Sequence, residues 1–105
     1  MEILIVNFEL QGISEAEYYR QCDDVAPAFA AVPGLAAKVW LADVSTNTFG
    51  GVYTFEDAAA LDAFLSSDLF QQVGATPGLA NIVVRRFGTL AGPTRVTRGT
   101  TPAAA

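Results

Sequence analysis

Histidine is absent from the 105 residues, and cysteine, tryptophan and lysine occur once each, as Cys22, Trp40 and Lys38. Without histidine there is no Ser-His-Asp triad, no His-ligated haem and no histidine general base in this chain. One cysteine excludes an internal disulfide and leaves a structural zinc site without ligands. Basic residues are scarce too: six against eleven acidic ones give a formal net charge of -5, which repels nucleic-acid phosphates and anionic membrane surfaces. Long hydrophobic runs are missing. The longest mostly apolar stretch, Val25 to Val39, contains Pro27, Pro33 and Gly34 and falls short of the roughly 20 residues a spanning helix needs. The apolar opening Met1-Glu2-Ile3-Leu4-Ile5-Val6 has no Lys or Arg before it and meets Asn7 and Glu9, unlike a secretory leader. The expectation is a soluble, cytoplasmic protein with no metal site and no nucleic-acid or membrane partner.

What is present is apolar. Hydrophobic residues make up 51% of the chain and seven phenylalanines are among them, more than a domain of this size easily buries alone, so an oligomer is expected. Ile3 to Phe8 is a short β-branched run before the turn signal Gln11-Gly12 and reads as a buried strand. Ser14-Glu15-Ala16-Glu17 is a capping box, followed by Tyr18, Cys22, Val25 and Phe29 on one helical stripe; Pro27 is expected to kink or restart that helix. Ala37 to Asp43 and Thr48 to Phe55 read as strands joined by a hairpin link of residues 44–47. Asp57 caps a second helix carrying Leu61, Leu65, Leu69 and Val73, with a possible break at Ser66-Ser67-Asp68. Asn81 to Phe87 is the last strand.

The order βαββαβ is the ferredoxin-like plan of the α+β class, an antiparallel sheet with both helices on one face. All four strands are apolar at both alternations, so the other face is expected to be buried against a second copy, giving a homodimer. The single domain spans residues 1–90. Residues 91–105, rich in Gly, Pro, Thr and Ala without periodicity, form a tail that is either flexible or laid over the partner subunit.

Counting back from the 44–47 link pairs Asp43 with Thr48, Trp40 with Gly51 and Lys38 with Tyr53. Cross-strand partners share a face. A glycine opposite an indole leaves room above the sheet for a flat ligand, with Trp40 as a wall and Lys38 and Tyr53 as polar tips. Other readings of the same residues stand beside this one. Trp40 is equally a core aromatic, Gly50-Gly51 a β-bulge, Tyr53 an interface anchor, and Lys38 a strand lysine with its head in water. Asn7 is a polar residue in an apolar strand, whose amide demands partners. Arg85 and Arg86 point to opposite faces, so at most one of them reaches inward. Cys22, on the apolar stripe, reads as a small core residue.

Pro33-Gly34-Leu35, Lys38-Val39-Trp40 and the stretch Gly50-Gly51-Val52-Tyr53-Thr54-Phe55-Glu56-Asp57 resemble the YdhR-like mono-oxygenase family of the dimeric α+β barrel superfamily, over roughly residues 3 to 90. The resemblance implies a small-molecule enzyme, with cofactor-free oxygenases of aromatic polyketides, cyclases, isomerases and haem enzymes among the relatives. Fold carries over more safely than reaction. The expected function is a cofactor-independent mono-oxygenase, or related tailoring enzyme, acting on a hydrophobic, aromatic or polyketide-like molecule. In it, Lys38 or an inward arginine, Arg85, stabilises charge, Tyr53 and Asn7 hydrogen-bond substrate oxygens, and Trp40 stacks over the space at Gly51. No base is evident among these residues. The alternatives are a cyclase or isomerase using the same pocket without oxygen, and a non-enzymatic small-molecule binder or structural dimer, in which Trp40 and Tyr53 are packing; a pocket too small for more than a few waters would mark the structural dimer.

Overall fold

The computed structural model describes residues 1–99. Strand β1 (Glu2–Leu10) alternates strictly, with Leu4, Val6 and Phe8 buried and Ile3, Ile5 and Asn7 only half-buried. The first set faces the helices. Helix α1 (Glu15–Ala30) begins at Ser14, whose hydroxyl accepts from the Glu17 amide at 3.1 Å. That hydroxyl in turn donates to the Glu17 carboxylate at 3.3 Å, so the carboxylate bonds the capping side chain instead of the Ser14 amide. Pro27 lies inside the helix without ending it. Both Pro27 and Asp23, whose carbonyl loses its helical donor there, are exposed, so water can satisfy the freed acceptor.

Strands β2 (Leu35–Asp43) and β3 (Thr48–Phe55) form the expected hairpin, and its register has Asp43 opposite Thr48, Trp40 opposite Gly51 and Lys38 opposite Tyr53. Helix α2 (Ala58–Leu65) is capped by Asp57, which accepts from the Ala60 amide at 2.8 Å. Ser66 closes it, and Ser67 opens a separate helix α3 (Asp68–Ala75) by accepting from the Phe70 amide. Strand β4 (Leu79–Gly88) completes an antiparallel sheet of order β2-β3-β1-β4. The architecture is α+β and ferredoxin-like.

One face of the sheet carries the core. Leu4, Val6, Phe8, Phe49, Tyr53 and Phe55 meet Tyr18 and Phe29 of α1 and Leu61 and Phe64 of α2. The opposite face has no helix over it and is apolar: Ile3, Ile5, Val39, Val52, Val83 and Phe87 lie on it, with Val39 60%, Val83 48% and Phe87 48% exposed. Residues 91–96 form a short helix α4 (Ala91–Val96), where the composition pointed only to a flexible or docked tail. Its entry at Leu90 has no side-chain cap, and Thr97 donates to the Pro93 carbonyl at 3.0 Å near its end. The remainder of that tail, residues 100–105, lies outside the described residues.

Candidate active site

A cavity of about 330 Å³ opens between the helix-bearing face of the sheet, α1 and α3. That volume is about eleven waters, near the lower end of small-molecule sites. It is too large for the few-waters pocket that a purely structural dimer would show. Lys38, Trp40 and Tyr53 line it from the sheet, Phe29 and Tyr18 from α1, and Leu69 and Val73 from α3. The polar rim consists of Gln21, Asp24, Gln72 and Thr76.

The Lys38 ammonium position lies 3.2 Å from the centre of the Trp40 ring, 3.5 Å from that of Phe29 and 4.7 Å from that of Tyr53. Phe29 and Trp40 hold each other edge to face at 84°, with centroids 5.4 Å apart. Ring faces attract a cation but replace its hydration only in part. Among the described residues the ion pairs within 4.0 Å are those of Arg86, so no carboxylate compensates this lysine. Burial therefore pulls the amine down from 10.5 to about 7, with the neighbouring Cys22 opposing slightly. Burial acts in the other direction on the acids around it. The Tyr53 phenol is pushed well above its ordinary value, and the Tyr18 phenol likewise, burial being followed there by a hydrogen bond to Cys22. The Cys22 thiol is raised by burial as well, against the opposing influences of Tyr18 and Lys38. At neutral pH the cavity thus presents proton-bearing phenols and a thiol beside an amine near its titration midpoint.

Three of the candidate site residues, Lys38, Trp40 and Tyr53, come together at this cavity. The other three do not join them as expected. A Cβ on Gly51 would stand 2.9 Å from Lys38 Cε and 3.2 Å from Tyr53 Cε1, so the missing side chain makes way for the lysine stem and not for a flat ligand. Gly50 lines the cavity instead. Asn7 pairs with Gly50 and Val83 on the helix-free face, its amide donating to the Phe49 carbonyl at 3.3 Å. Arg85 pairs with Ile5 on that same far face. Strand alternation places both away from the cavity, because odd-numbered residues of β1 and their partners point away from the helices. The arginine on the helix side is Arg86, and it bonds Asp62 at 2.7 Å and lies 3.8 Å from Glu2, outside the cavity lining. Tyr18, Leu69 and Val73 were legible only as apolar stripes, which do not distinguish a cavity wall from a core.

The family model described as "Putative mono-oxygenase ydhR" matches residues 3–100. The chain belongs to the ydhR mono-oxygenase family. No curated protein matches it by sequence. Solved structures place this ydhR-family chain in a wider fold group. A putative antibiotic biosynthesis monooxygenase from Deinococcus radiodurans superposes with a TM-score of 0.71 at 14% identity, covering 86% of this chain and 93% of that one. SnoaB, a cofactor-independent oxygenase from Streptomyces nogalater, gives 0.66 at 23% identity over 84% and 92%. A MhuD variant holding two manganese protoporphyrin IX molecules per active site gives 0.69 at 17% identity over 86% and 95%. Oxygenase and porphyrin sites thus share this backbone, and at such identities the likeness is one of fold. No helix of the described residues is long and apolar enough to cross a membrane, and no group of three or more His, Cys, Asp or Glu among them is placed to hold a metal ion.

Proposed function

We propose that this ydhR-family protein is a cofactor-independent mono-oxygenase of a hydrophobic, aromatic or polyketide-like small molecule, and that it works as a homodimer. The observation that carries the reading is a cavity with aromatic walls and a single uncompensated amine. An electron-rich phenol or enol loses its proton, and the anion gives one electron to dioxygen. Recombination gives a peroxide anion that takes the proton back as a hydroperoxide, and loss of water, carrying off the hydrogen of the oxygenated carbon, leaves one oxygen atom in the product and one in water. The site has to hold the anion, stabilise its oxygen and keep out bulk water. Lys38 supplies positive charge, the Tyr53 hydroxyl donates to the oxyanion, and Trp40 and Phe29 supply flat apolar walls. A second copy would cover the helix-free face, where half-buried Val52, Ile5 and Ile3 on the two central strands lie between exposed Val39 on one edge strand and exposed Val83 and Phe87 on the other. Asn7 and Arg85 then belong to that interface.

Oxygen uptake with an anthrone and a panel of naphthols tests the reaction. One dioxygen consumed per quinone formed, unaffected by chelators, supports it. Conversion that proceeds equally under argon would replace it with the cyclase or isomerase reading.

A further inference from the structure

Proton removal in the reaction above needs an acceptor, and histidine is absent. We propose that Lys38 is that base: its amine takes the proton from a weakly acidic phenol or enol that enters neutral, leaving an ammonium–oxyanion pair between the aromatic walls. The O–H bond breaks, an N–H bond forms, and the electron pair stays on the substrate oxygen. This assignment rests on the reading of the cavity as a substrate site and adds the class of molecule selected there, a neutral acid of phenol strength.

Geometry carries the assignment. A lone strand lysine ordinarily extends its head into water, but this one turns inward. Gly51 leaves room for its stem, since a Cβ there would stand 2.9 Å from Lys38 Cε. The amine ends over three ring faces, at 3.2, 3.5 and 4.7 Å from their centres. Rings stabilise an ammonium once formed but cannot take its proton, and no carboxylate among the described residues fixes the charge beforehand. The other titratable groups facing the amine are Tyr18 and Cys22 on α1 and Tyr53 on β3, with Asp24 at the exposed rim; α3 presents Leu69, Gln72 and Val73, none of which titrates. Both phenols and the thiol are held protonated by burial, so they serve as donors. The amine, brought to about 7, is the group with a free lone pair near neutrality.

Energetics point the same way. A neutral acid entering beside a neutral amine desolvates no charge. Once the proton moves, each ion stabilises the other: the oxyanion raises the amine's affinity for the proton and the ammonium lowers the acid's. A site built around a permanent cation would behave differently, because it would bind an anion formed elsewhere and expel that proton to solvent.

Proton counting separates the two. Under argon, 2-naphthol is bound to the full-length protein at about pH 8, above the Lys38 value of about 7 and below the ordinary phenol value of about 10. The expected result is the naphtholate absorption spectrum with close to no proton released into a weakly buffered solution. About one proton released per naphtholate would show a pre-existing cation and overturn the proposal. Binding of neutral naphthol alone, or no binding, would overturn it as well. Lys38→Met is expected to keep naphthol binding, read by Trp40 quenching, and to lose the naphtholate band; a band that survives refutes the assignment. If naphtholate forms on the wild type but oxygen is never consumed, the base assignment stands and the mono-oxygenase reading alone falls.

Discussion

Replacing Lys38 by methionine keeps an unbranched stem in the aromatic seat and removes the titratable end, which isolates the cost of burying the amine. Desolvation lowers its value from 10.5 to about 7. Between those values the unfolded chain holds a proton that the folded chain has released, so folding stability rises with pH across that window. Below it both states are protonated, and the folded protein carries the whole cost of an ammonium among rings. Above it neither is charged. Each tenfold change in proton affinity is worth about 1.4 kcal/mol, which sets a ceiling of about 5 kcal/mol. Water reaches part of the head group and screens it, and this discount leaves about 2 kcal/mol. Urea unfolding at one fixed protomer concentration should therefore find Lys38→Met more stable than wild type by about 2 kcal/mol at pH values near 6. The gap should close towards about pH 10. Tyr18 and Tyr53, whose raised values favour the folded state below the ordinary phenol range and lose that contribution above it, act equally in both proteins and cancel. A gap of constant size, or a wild type more stable throughout, would refute the argument that the amine is desolvated.

Three further outcomes follow from the geometry. Gly50 has φ of 141°, and a Cβ there would stand 1.8 Å from the Val6 carbonyl oxygen, so Gly50→Ala should lower stability by more than about 3 kcal/mol in thermal melts. Val52→Asp puts a charge in the middle of the helix-free face; sedimentation should show twice the 11.1 kDa chain mass for wild type and a single chain for the variant, and a monomeric wild type would remove the dimer from the reading. Tyr53→Phe should slow oxygen uptake by an amount equal to about 2 to 4 kcal/mol of transition-state stabilisation while the melting temperature barely moves.

Local signals carried much of this fold. The four-residue link at 44–47 set the hairpin register without knowledge of any other strand, so the pairing of Lys38 with Tyr53 followed from turn length alone. Helix caps at Ser14 and Asp57 were equally local, each a side-chain oxygen accepting from an amide three residues on, while Ser67 was legible only as part of a helix break and its role as the α3 cap came from the structure. Nonlocal facts were not legible. Which face Asn7 and Arg85 occupy depends on where the helices lie and on how β1 pairs with β4. That pairing contains an irregularity between Asn7 and Glu9, where Asn81 adopts φ of 54°. The inward turn of Lys38 was invisible for a related reason, since a strand position specifies a direction but not whether α1 will close over it. Helix α4 contains Gly92, Pro93 and Thr94, residues of low helix propensity, so composition argued against it.

The chain's one side-chain amine, one indole and one thiol, on Lys38, Trp40 and Cys22, all border the same cavity. Nature has in effect made the reporter variants already. A carbon-13 methyl tag on Lys38 would give one side-chain resonance, a maleimide dye has one possible anchor, and emission excited at the indole edge comes from one residue. Ligand occupancy can therefore be followed by three independent spectroscopies on the unaltered sequence, each reading the same few ångströms of the molecule.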